Sequence, residues 1–82
     1  MAEKTLGSEI PWLLRELCVE MGFCLPAAVQ GELASSPPRD VDAFTDAVFA
    51  AEGLDPSLYK HLRLSVRAKV ERRIGRFLAA DR

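Results

Sequence analysis

The chain holds almost none of the residues that metal and nucleophilic chemistry draw on. One histidine, His61, and two cysteines, Cys18 and Cys24, stand in 82 residues. A tetrahedral zinc site takes four such ligands, so these fall short. The five glycines are scattered at Gly7, Gly22, Gly31, Gly53 and Gly75, which leaves no glycine-rich loop to wrap a phosphate. Asp40, Asp42 and Asp46 alternate as calcium ligands do, but Phe44 takes a ligand place and the closing glutamate is missing. No apolar run approaches the roughly 20 residues of a membrane-spanning helix. There is no internal repeat and no low-complexity segment. Ser57 lies four residues before His61 with Asp55 close by, yet side chains four apart on a helix are neighbours whatever they do, and Asp-Pro-Ser is a capping sequence. His61 reads as a solvated surface residue. No catalytic residue, metal or cofactor is expected.

Two cysteines in a helical chain without a leader read as reduced thiols, Cys18 on the buried face of the first helix and Cys24 in a loop. The opening Met-Ala-Glu-Lys-Thr-Leu-Gly-Ser lacks the basic-then-apolar order of a secretory signal. It reads as a loose arm over 1–7, followed by a single helical domain over 8–80. The expected location is intracellular, and cytoplasmic.

What the sequence does hold is helical periodicity. A composition of 49% hydrophobic and 28% charged residues is that of a folded domain, and at this length the core is small. Helices are expected at about 9–22, 26–34, 41–52 and 56–78, the second of them weak, in an all-α, small irregular bundle with the long C-terminal helix as its spine. In the first, Ile10, Leu13, Leu14, Leu17, Cys18 and Met21 repeat at three and four, Ser8 stands as N-cap, Pro11 sits in the first turn, and Gly22 supplies the left-handed residue that ends the helix. Trp12 falls off the leucine face and is expected to cover the edge of the core, or else to anchor a partner. Pro26 opens the second helix, which Gly31 weakens, and Ser35-Ser36-Pro37-Pro38 is a connector. Asp40 caps the third, whose Val41, Phe44, Ala47, Val48 and Ala51 face inward; Phe49 widens its apolar surface, as in a central helix. Gly53, Leu54, Asp55 and Pro56 then make a tight corner, with Asp55 as N-cap and Pro56 as first residue of the last helix.

Charge divides the chain. Residues 1–59 carry three Lys/Arg against ten Asp/Glu, a net of −7, and residues 60–82 carry eight against two, a net of +6. At about 100° per residue, Tyr59, Leu62, Val66, Val70 and Phe77 form one stripe of the last helix. Lys60, Arg63 and Arg67 edge it on one side, and Lys69, Arg72 and Arg76 on the other. The acidic helices are expected to pack beside this helix and neutralise its flanks. Arg73, within the stripe, either finds a carboxylate from an acidic helix or marks where the last turn leaves the fold; Gly75 marks a bend or a fraying end. The stripe is longer than short helices cover, so part of it is expected to remain for a partner: Val70, Ile74, Phe77 and Leu78 as apolar contacts, Arg72, Arg73 and Arg76 as charged ones. The expectation is a non-catalytic interaction module binding a protein partner or a second copy of itself. The alternative is a nucleic-acid-associated protein contacting phosphates through the basic flanks. Base readout by a helix-turn-helix is disfavoured, because the turns that would enter the groove hold Asp55, Pro56, Ser57, Leu58 and Tyr59.

Overall fold

The computed structural model describes residues 5–79, and among them there are four helices and no strand. They are α1 (Leu6–Met21), α2 (Ala27–Ser35), α3 (Val41–Glu52) and α4 (Lys60–Ala79). Residues 1–4 of the expected arm and Ala80 at the domain's expected end lie outside the described residues. The all-α bundle with the last helix longest is as the periodicity predicts, including the weak second helix.

α1 begins earlier than expected. Thr5, not Ser8, is its N-cap: the Ser8 N–H donates to Thr5 Oγ1 at 3.2 Å and the Thr5 N–H donates to Ser8 Oγ at 2.9 Å. This reciprocal box satisfies two amides that the helix leaves without acceptors. The shift moves Pro11 from the first turn into the helix interior, where Gly7 loses the N–H that its carbonyl would accept. Both residues face solvent, so water can take that carbonyl. Gly22 (φ 76°) ends the helix, with its N–H donating to Cys18 O and that of Phe23 to Leu17 O, both at 3.1 Å. The reversal brings the Cα atoms of Cys18 and Cys24 to 4.3 Å, and the two form a disulfide. The expectation of reduced thiols is corrected here: the left-handed turn folds the connector back over the last turn of α1.

The connector continues inward. Phe23 and Leu25 are buried on either side of exposed Cys24, and the Phe23 ring meets Phe49 with centroids 5.3 Å apart. α2 has no side-chain cap at Pro26 and buries little besides Leu33, leaning chiefly on α1. α3 is capped by Asp40, whose Oδ1 accepts from the Ala43 N–H at 2.7 Å, and it buries Phe44, Val48 and Phe49. Thr45 is fully buried, its hydroxyl donating to Val41 O at 2.8 Å.

The α3–α4 corner differs from expectation. Gly53 (φ 72°) ends α3 and Leu54 tucks back, its N–H donating to Phe49 O at 3.0 Å. Asp55 and Pro56 do not start α4, however. The Asp55 carboxylate accepts from both the N–H (2.9 Å) and the hydroxyl (2.7 Å) of Ser57, and the Leu58 and Tyr59 amides donate to Asp55 O and Pro56 O. A self-contained turn results, because a short acidic side chain bonded two residues on competes with helix initiation. α4 starts at Lys60, where the Arg63 N–H reaches Tyr59 O at 2.8 Å.

α4 packs against both α3 and α1 and runs antiparallel to each. It is therefore the spine, and α3, expected as the central helix, flanks it. Val66, Val70 and Ile74 are fully buried and Leu78 nearly so, among Ile10, Leu13, Leu17, Phe44 and Val48. The helix continues through Gly75, which is buried; a Cβ built there would approach Glu71 Cγ to 3.0 Å and Val41 Cγ2 to 3.7 Å.

Candidate functional site

Four cations of α4 are consumed inside the fold. On the α3 side, Arg63 contacts Asp42 (3.2 Å) and Asp46 (3.1 Å), and Arg67 contacts Asp42 (2.8 Å) and Glu71 (3.3 Å). Hydrogen bonds from Arg67, and then from Arg63, hold the Asp42 carboxyl below its ordinary value. On the α1 side, Lys69 lies 3.6 Å from Glu16 and is hydrogen-bonded to Glu20, which pushes its pKa up. Arg73 reaches Glu9 at 3.4 Å and Glu16 at 3.5 Å. The acidic helices pair only part of each flank, Arg63 and Arg67 on the α3 side and Lys69 on the α1 side, and Arg73 takes the first of its two expected roles, its guanidinium finding carboxylates on α1.

What remains is a groove between α1 and α4, about 320 Å³ in volume, lined by Glu9, Glu16, Lys69, Arg72, Arg73 and Arg76. Its lining sets two carboxylates against four cations, and with Glu20 bonded to Lys69 from the margin the excess is one positive charge. Arg72 and Arg76 are exposed and make no ion pair among the described residues; the Arg76 guanidinium lies 4.9 Å from the Phe77 ring centroid, within cation–π range. Trp12 is three residues after Glu9 and four before Glu16, on the adjoining strip of α1, and 60% of it is exposed. It does not close the edge of the core, the first of its expected roles.

The structure thus divides the residues expected to contact a partner. Val70, Ile74 and Leu78 are spent on the core and Phe77 is partly buried against it. From Val66 onward the apolar stripe does not outrun the fold, because α1 covers one side of it and α3 the other, while Tyr59 at its start is exposed. Arg73 is paired, whereas Arg72 and Arg76 stay available. The sequence reading missed Glu9, Glu16 and Lys69 as groove residues. Their signal was present: Glu9 and Glu16 are seven apart beside the leucine face of α1, and Lys69, Arg73 and Arg76 step by four and three along α4.

A second exposed apolar set, Leu58, Tyr59 and Leu64, sits where α4 begins. Among the described residues no three His, Cys, Asp or Glu side chains gather as a metal site would need, and no helix is long and apolar enough to cross a membrane. The Ser57 hydroxyl donates to Asp55, and His61 is exposed. No family model, curated relative or solved structure matches the chain.

Proposed function

We propose that the protein is a non-catalytic helical interaction module that binds a protein partner through its α1–α4 face. The observation that carries this reading is the set left over after pairing among the described residues: Arg72 and Arg76 lining one groove, and a largely exposed tryptophan on the adjoining strip of α1. Tryptophan and arginine are the residues most enriched where binding energy concentrates. Self-association through Val70, Ile74 and Leu78 loses its basis, since these residues are interior. Phosphate contact by Lys60, Arg72 and Arg76 is the second reading, favoured by the exposure of all three without carboxylate partners among the described residues.

Affinity purification from native extract tests the proposal, with retained proteins identified, purified and rebound to the isolated chain and to Trp12→Ala. A protein that rebinds the wild type and loses affinity for Trp12→Ala supports it. Retention of nucleic acid alone, with binding that weakens steeply as salt rises, replaces it with the second reading.

A further inference from the structure

Building on that interaction-module reading, we infer that the partner segment is an acidic peptide, carrying carboxylates to Arg72 and Arg76 and an apolar side chain to Trp12. Charge complementarity makes the argument. Arg72 and Arg76 are four residues apart on one helix, a like-charge pair that repel each other. Lys69 and Arg73 lie between and beside them, and their carboxylates, Glu9, Glu16 and Glu20, leave the groove with positive charge in excess. Stacking over Phe77 orients Arg76 without neutralising it. A carboxylate from outside meets Arg76 oriented over Phe77 and Arg72 open to water one turn before it, and guanidinium binds carboxylate in a fixed, two-point geometry.

The same features disfavour other occupants. Two copies related by a two-fold axis through this groove would set Arg72 and Arg76 against their own equivalents, with no surplus acid nearby to answer them. A nucleic-acid backbone runs well beyond a patch that covers two turns of α4, about 10 Å, and would meet Glu20 and Glu71, both exposed on its margins. A short acidic segment stays inside the patch. Trp12, exposed on the adjoining strip of α1, offers an apolar seat beside the cleft.

Trp12 is the sole tryptophan, so its emission reports on the groove. A synthetic peptide of glutamate and leucine is titrated against the full chain, alongside its lysine-for-glutamate counterpart and a thymidine oligonucleotide. The expected result is a saturable blue shift of Trp12 with the glutamate peptide alone. Affinity should fall about tenfold in the Arg72→Glu, Arg76→Glu double variant and fall again with added salt. Both positions are exposed and unpaired among the described residues, and a far-ultraviolet circular dichroism spectrum matching wild type confirms that the variant is folded. No shift with the glutamate peptide, equal affinity for the double variant, or preference for the oligonucleotide overturns the inference. A purified protein partner that binds wild type and double variant equally, yet loses Trp12→Ala, also overturns it while leaving the interaction-module reading intact.

Discussion

Arg73 and Arg72 are adjacent in sequence and opposite in physical role. Arg73 lies against Glu9, whose side chain is only 10% exposed, so its removal leaves a carboxylate desolvated and without its cation. Arg72 faces water on the groove and holds nothing in the fold. Arg73→Ala is expected to cost about 1–3 kcal/mol in urea unfolding, and Arg72→Ala to stay within about 0.5 kcal/mol. Equal losses from the two would mean that Glu9 finds another partner. Trp12 makes the same point from the apolar side: its place off the leucine face was legible from spacing alone, but whether a neighbour would cover it was not.

Among the elements, α1 carries a built-in weakness. Pro11 stands inside the helix, six positions past the N-cap, with its missing N–H and the unpaired Gly7 carbonyl on the solvent side. Pro11→Ala is expected to stabilise the chain by about 1–2 kcal/mol, the helix gain being partly offset by the freer unfolded chain, and a rise in thermal midpoint checks it. An unchanged or lower midpoint would show that proline's rigidity contributes more than the missing bond. α4 shows how local chemistry hides a boundary. Asp-Pro reads as cap and first residue, yet the Asp55 carboxyl, held below its ordinary value by the hydrogen bond from the Ser57 hydroxyl and then that from its amide, closes a turn of its own and delays the helix to Lys60. α2 was weak in sequence because Gly31 interrupts it, and it forms with Leu33 seated in the core.

At the scale of the whole molecule, two links cross the helices. The Cys18–Cys24 disulfide closes a loop of five intervening residues and holds Phe23 and Leu25 in register beneath α1. Reduction by a dithiol is expected to lower stability by roughly 2 kcal/mol, read as a drop in urea midpoint that Cys24→Ser reproduces without reductant. A midpoint indifferent to reductant would show that the glycine turn alone fixes the connector. The ion pairs set the response to pH. The folded-state pKa of Asp42 is lowered, so its contribution is present above the ordinary value of 3.8 and is lost as pH falls through the lower folded value. That of Lys69 is raised, so its contribution is full below 10.5 and is lost as pH climbs through the higher folded value. Unfolding midpoints should therefore hold steady between those limits as far as these two groups govern them, and fall at both extremes. Asp42→Asn should remove part of the acid limb and leave the alkaline one.

Helical period, backbone sterics and side-chain ionisation are local properties, so the four helices, the left-handed glycines that end two of them, and the opposite signs of charge on α4 and its neighbours were legible in the residues alone. Only the tertiary structure decided which cations would be spent and which left over. Val70, Ile74 and Leu78 look the same in a helical projection whether a neighbour covers them or water does, and packing α4 between α1 and α3 covered them. The same packing set Glu9 and Glu16 opposite Arg73, leaving Arg72 and Arg76 without acids among the described residues. The cysteine pairing depended likewise on the direction in which the turn at Gly22 sends the chain, a matter of angle that spacing does not encode.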